Sequence, residues 1–382
     1  MSPPDSSPPT ESARRLAARI ASLPATLDHA VAALLHPGNR LTPLTPGDAP
    51  VWVTGGGMSE GPARYLVALL TERAIAAEYI PLSEFVAPEP GASSTVAADW
   101  PVARGTLIVF SQGLAPNARF PLLHAQRFRR CLLVTAVTPK PADSAMQSPD
   151  VSAIAAAAQA RGVEVLTLPP SDEDGLLLRV VGPAVHALAA AWLAGCDPAW
   201  LRQVPTVYAA ADDGLPPASL RQGDMLPKVA LIASGRYASA CFGLRWKLLE
   251  GLQQGDPPIW DLLQVAHGPL QSIWRRPQTL LVLKRQAATH EAALHAALSQ
   301  VFQPPLHGIV TLTASRLPGL LAYFEHDAQL NACVLDGLTP RPGQPTIDLI
   351  SWPGRGHDGP LYNLAPATTD LLRLGRSSDE PR

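Results

Sequence analysis

Residues 242–273 read F-G-L-R-W-K-L-L-E-G-L-Q-Q-G-D-P-P-I-W-D-L-L-Q-V-A-H-G-P-L-Q-S-I, and the rest of the chain arranges itself around them. Leu244, Lys247, Leu248 and Leu252 recur at helical spacing, which predicts a helix stopped by Gly251 and Gly255, with Glu250 in its last turn. A carboxylate there faces the negative end of the helix dipole, which raises its pKa and suits a base that takes a proton from carbon near neutral pH. Seventeen residues on, His267 precedes Gly268-Pro269, a pair that breaks a helix and holds the imidazole in a loop, where a proton can pass to or from a substrate. On residue types alone, a surface glutamate and a turn histidine is the competing reading.

Lys247-Leu248-Leu249-Glu250 followed by His267-Gly268-Pro269-Leu270 resembles the second sugar-isomerase (SIS) domain of the isomerase half of glucosamine-6-phosphate synthase, where a K-L-K-E helix precedes an H-G-P-L turn. The resemblance implies that Glu250 moves a proton between the first two sugar carbons and that His267 helps open the ring. It also implies a homodimer, because the His-Gly-Pro turn of that family reaches into the neighbouring subunit's site.

Upstream of this stretch, Lys228 to Ala233 predicts a strand ending on Ser234-Gly235-Arg236, similar to the glycine turn that opens the family's second domain. Arg236 either pairs with an anionic ligand group or reaches solvent. Upstream, V-W-V-T-G-G-G-M-S-E-G-P from Val51 reads strand, glycine turn, helix, and such a turn offers backbone N–H groups to a phosphate or sugar oxygen. Gly57-Met58-Ser59 falls on the family's G-T-S, which implicates Gly57 and Ser59 in substrate binding. The run Thr106 to Phe110 is apolar and β-branched, as in a buried parallel strand, and ends on Ser111-Gln112-Gly113, where open α/β sheets bind ligands. The family's S-Q-S-G-E-T loop holds the sugar phosphate at this place. Ser111, Gln112 and Gly113 remain, Leu114 and Ala115 replace its Glu and Thr, and Asn117 is the compensating donor.

Strands at 131–137 and 163–168, helices at 151–160 and 176–194, and a second series with strands at 279–284 and 308–313 and helices at 290–301 and 319–338 complete an alternation that indicates parallel sheets. The expected fold class is α/β: two tandem SIS domains, each a mainly parallel sheet with helices on both faces, flavodoxin-like and doubly wound. The expected organisation is a disordered leader over 1–11, an N-terminal helix over 12–48 interrupted at Pro24, a first SIS domain over 49–200, a linker over 201–226, a second SIS domain over 227–355, and a tail over 356–382. That tail matches the family's closing motif at Asn363-Leu364-Ala365, which adds Asn363 to the binding residues. The family's imine-forming lysine falls on Pro366, which has no primary amine, and the last lysine in the chain is Lys284.

Composition agrees with this class. A length of 382 residues fits two domains. A net charge of -2 without a basic block gives no case for nucleic acid or an anionic membrane. Apolar runs fall short of the ~20 residues that cross a bilayer, and the Pro/Ser-rich start lacks the order of a signal peptide, which together point to the cytoplasm. Cys131, Cys196, Cys241 and Cys333 are scattered in apolar surroundings and read as buried hydrophobes. No metal or cofactor is implied. The expectation is a sugar-phosphate enzyme of the aldose/ketose isomerase kind, working through acid–base chemistry without an imine and without glutamine-dependent amination. The alternatives are a binding protein that has lost the chemistry and an enzyme that releases amines from sugar-amine adducts.

Overall fold

The computed structural model describes residues 8–86, 105–140, 150–170, 173, 175–210, 228–274, 276–286, 288–303, 307–340 and 346–352. The leader before residue 8, the stretch 211–227 and the tail with Asn363 and Pro366 lie outside the described residues. Two compact units are formed. The first takes its described residues from His29–Asp172 and Val185–Pro198, and the second from Met1–Asp28, Glu173–Ala184 and Ala199–Trp352.

Helix α1 (Glu11–Leu34) runs through Pro24 without interruption, against the sequence expectation. The proline removes one backbone hydrogen bond at a cost of ~3 kcal/mol. Leu16, Leu23 and Leu27 on the same helix are fully buried, and each contributes roughly 1.5–3 kcal/mol. Their burial outweighs the lost bond.

The first unit is built on β1 (Val51–Gly55), α2 (Glu60–Glu72), β2 (Ala77–Tyr79), β3 (Thr106–Phe110), β4 (Arg130–Thr135), α3 (Val151–Ala160), β5 (Val163–Thr167) and the greater part of α4 (Val181–Leu193). Its sheet has the order β2-β1-β3-β4-β5, with every pair parallel. The central strands β1 and β3 are covered on both faces, which explains why they are buried at every position and mostly apolar. Trp52, Leu107, Val109, Cys131 and Leu133 point to one side, against Phe128 and the Ile154, Ala155 and Ala158 stripe of α3. Trp52 and Phe128 meet edge to face with ring centroids 5.6 Å apart. Strand residues of opposite parity, including Val53, Ile108 and Phe110, are equally buried, and α2 packs against β1 and β3. The start of α4 falls later than its apolar run suggests. The buried carboxylate of Glu173 accepts the backbone N–H groups of Val180, Val181 and Gly182, which fixes the first turn.

In the second unit, α5 (Val204–Ala209) precedes β6 (Lys228–Ala233), α6 (Arg236–Ala240), α7 (Arg245–Gly251), β7 (Ile259–Asp261), α8 (Pro269–Ile273), β8 (Gln278–Arg285), α9 (Ala292–Val301), β9 (His307–Ala314) and α10 (Tyr323–Gly337). The sheet order is β7-β6-β8-β9, again entirely parallel. Ala230, Ile232, Leu280 and Val282 form a core with Val265, Ile273, Leu298 and Phe302. Helix α10 packs on β9, and α7 packs on α10.

Cys131, Cys241 and Cys333 are buried free thiols and Cys196 is half-buried, as expected for small apolar side chains. Burial pushes the Cys131 and Cys333 thiols up to about 12. Among the described residues, no helix is long and apolar enough to cross a membrane.

Candidate functional site

A sheet of order 2-1-3-4-5 reverses its winding between β1 and β3, and open α/β proteins bind ligands beyond the carboxyl ends of the strands at that reversal. The turns that follow β1 and β3 carry the residues singled out in the first unit. After β1 the chain makes one tight turn, Gly57–Ser59, with Gly57 at φ +55°. A side chain at Gly55 would force the backbone to shift, because a Cβ would lie 2.6 Å from the carbonyl oxygen of Ser59 and 3.2 Å from that of Phe110. At Gly56 a Cβ would lie 3.7 Å from Nδ2 of Asn117, so the two turns meet. Positions 57 and 113 face open space.

The loop after β3 folds on itself. Ser111 is buried, and its Oγ accepts the backbone N–H of Ala115 at 3.3 Å. The Gln112 carbonyl accepts the Thr135 hydroxyl and the Ala136 N–H, both at 3.0 Å, which ties the loop to the end of β4. Leu114 takes the left-handed region at φ +50° and turns fully inward. Where the resembling family has a polar residue at the loop tip, this chain has an apolar anchor. Gly57, Ser59, Ser111, Gln112, Gly113 and Asn117 thus lie at one end of one sheet.

In the second unit Glu250 occupies the last turn of α7. Burial raises its carboxyl to about 8, and the nearby Arg179 guanidinium opposes that rise. The direction agrees with the sequence reading, whereas the physical cause is desolvation. Oε2 of Glu250 is buried with no hydrogen-bond partner, so the carboxyl is held without being satisfied. One turn back, Lys247 bonds Asn331 and ion-pairs with Asp327. Behind the helix end, a Cβ on Gly251 would lie 2.6 Å from Val334 and 2.9 Å from Leu178. Arg179 immediately precedes the backbone amides captured by Glu173, which fixes its position.

His267 is exposed in the turn before α8, with Gly268 at φ +97° and the Gly268 N–H donated to Oε1 of Gln271 at 2.9 Å. The flanking Val265 and Ile273 belong to the core on the Ile232 and Val282 side of the sheet. Glu250 sits on α7, which packs on α10. Glu250 at the end of α7 and His267 in the exposed turn before α8 thus both belong to the second unit. Arg236 is exposed at the first position of α6, next to Gly235, whose N–H donates to Oδ2 of Asp261 at 2.6 Å.

Sequence reasoning missed Arg179 and a cluster of Ser234, Arg285, Glu291 and His295. Arg285 could have been found from its place at the end of a strand, as Ser111 was. Glu291 and His295 lie in the turn and helix that follow and carry no motif.

Two entirely parallel sheets with helices on both faces define a doubly wound α/β protein of the flavodoxin-like kind. No protein-family model matches the chain, and no curated protein matches it in sequence. Solved structures do share its fold. Tagatose-6-phosphate ketose/aldose isomerase from Escherichia coli is 14% identical with a TM-score of 0.58, covering 91% of this chain and 99% of that one. Glucosamine-6-phosphate deaminase from Thermotoga maritima is 13% identical with a TM-score of 0.58, covering 84% and 92%. The C-terminal domain of glucosamine-fructose-6-phosphate aminotransferase from Francisella tularensis is 9% identical with a TM-score of 0.55, covering 84% and 94%. The fold is that of the SIS-domain and phosphosugar isomerase structures.

Proposed function

We propose that the protein binds a sugar phosphate or related carbohydrate derivative and moves a proton on it, in aldose/ketose-type isomerisation or a related reaction that needs no glutamine-dependent amination. The observation that carries this reading is Glu250: a carboxyl raised to about 8 by burial, with an unpartnered oxygen. A base whose pKa lies near the working pH can take a proton from carbon and return it. In this reading Ser111, Gln112, Gly113 and Asn117, with Gly57 and Ser59, hold the phosphate ester in the first unit. Arg236 and Asn363 contribute further donors. His267 opens the sugar ring and, in a homodimer, acts on the neighbouring subunit's substrate. The solved structures with this fold include one named as a ketose/aldose isomerase and one named as a deaminase, which keeps a sugar-amine substrate within the same chemistry.

A second reading, a sugar-phosphate-binding regulatory or accessory protein without catalysis, is favoured by the inward-turned Leu114 and by the internal hydrogen bond that occupies Ser111 Oγ. Proton NMR of hexose 6-phosphates in deuterated water with the purified protein separates the two. Exchange at carbon 1 or 2 that vanishes in Glu250→Gln supports the enzyme. Binding without exchange leaves the regulatory reading, and absence of both binding and exchange overturns the proposal. For the shared site, a mixture of Glu250→Gln and His267→Ala proteins is expected to regain part of the exchange that each has lost; no recovery sinks the homodimer.

A further inference from the structure

The second sheet has its own reversal, between β6 and β8, and the corresponding crevice lies beyond Ala233 and Arg285. A carboxylate from the chain itself fills this place. Glu291, which ends the turn Thr289–Glu291 before α9, is 2% exposed and receives the Ser234 hydroxyl on Oε1. Arg285 Nη2 donates to the same oxygen at 2.9 Å, and Nε2 of His295 stands 3.9 Å from Oε2. The Arg285 guanidinium lies 4.7 Å over the Tyr237 ring. The Tyr237 hydroxyl bonds Nδ1 of His326, whose Nε2 bonds the Leu312 carbonyl. Nδ1 of His295 is buried without a partner. A braced guanidinium, a hydroxyl and an imidazole around one oxyanion form the donor set that recognises a phosphate monoester.

We propose that Ser234, Arg285 and His295 form a second anion site, within the second unit, for the phosphate monoester of a small metabolite, and that Glu291 is its internal occupant, displaced when that ligand binds. Glu291 closes the connection between β8 and α9, so its release frees the turn that starts α9. A tethered carboxylate competes at high effective concentration and weakens the apparent affinity of any free anion. A phosphate dianion outcompetes it through greater charge and an additional acceptor oxygen.

The test is a titration with inorganic phosphate, followed by the ring-proton NMR signals of His295, assigned with His295→Gln. In Glu291→Gln the dissociation constant read at His295 is expected to fall at least tenfold relative to wild type. Adding Arg285→Met is expected to remove that gain. The proposal is overturned if Glu291→Gln binds phosphate no more tightly, or if its tighter binding survives Arg285→Met. Should Glu291→Gln lose its far-ultraviolet circular dichroism, Glu291→Asp keeps the charge and retracts it by one methylene. It is expected to bind more tightly than wild type, and failure to do so counts equally against the proposal. Because the readout is at His295, failure of Glu250 to move a proton leaves the result unaffected.

Discussion

Lys247 and Asp327 stand 3.1 Å apart, Nζ to Oδ1, with side chains 2% and 1% exposed. Asp327 also accepts the Tyr208 hydroxyl at 2.7 Å, and Lys247 bonds Asn331. The helix carrying Glu250 is thus pinned to α10 by a buried charge pair. Breaking such a pair by removing one partner costs about 3–5 kcal/mol, because the other charge stays buried and uncompensated. Lys247→Met is expected to lower the urea midpoint accordingly. The double change Lys247→Met with Asp327→Leu, which buries no charge, is expected to recover more than half of the loss.

Glu250 makes stability depend on pH. Its folded pKa of about 8 lies above the ordinary carboxyl value of 4.5, so the contribution is fully present below pH 4.5 and is lost as the pH rises through about 8. A tenfold change in proton affinity corresponds to ~1.4 kcal/mol, and the whole contribution amounts to several kcal/mol at most. Denaturant titrations at pH 5 and pH 9 check this: Glu250→Gln is expected to flatten the decline. Arg179→Met removes the charge that opposes the rise, so it is expected to move the midpoint of the decline, and of any Glu250-dependent proton exchange, to higher pH.

The sheet architecture is legible in the sequence because strands buried on both faces carry continuous apolar runs, as at Leu107 to Phe110 and Val229 to Ala233. Strand β7 is not: Ile259–Asp261 has only three residues, follows two prolines and is half-buried. The start of α4 escapes the apolar pattern because Glu173, a side chain outside the helix, sets it. At the site, Gly57 shows itself through a left-handed turn and Gly113 through its position after β3. Arg179 beside Glu250, and Glu291 between Ser234 and Arg285, are tertiary partnerships of common residue types, and no spacing announces them.

Two buried histidines predict the acid limb of the stability curve. His186 is enclosed beside Phe110, ring centroids 5.9 Å apart, and burial lowers its pKa to about 3; His326 is lowered to about 4 chiefly by burial. For a depressed folded pKa the stabilisation is present above the unfolded value near 6.5 and is lost as the pH falls towards 4 and then 3. His186→Leu is expected to reduce that slope measurably in thermal melts between pH 6.5 and pH 4. An unchanged slope would show that His186 is not buried neutral.

The glycine turn after β1 yields a prediction that separates packing from flexibility. At Gly55 a Cβ meets two backbone oxygens, at 2.6 and 3.2 Å, and neither can move aside as a side chain would. Gly55→Ala must therefore push the Gly57–Ser59 turn away from the end of β3, at a cost of roughly 1–3 kcal/mol. Binding of a hexitol phosphate, followed by calorimetry, is expected to weaken at least tenfold in this variant. Gly255→Ala is the control, because a Cβ there meets nothing within 4 Å and its φ is not left-handed. It is expected to leave both the melting temperature and the affinity where they are. Equal behaviour of the two alanine variants would mean that the β1 turn does not shape the binding crevice.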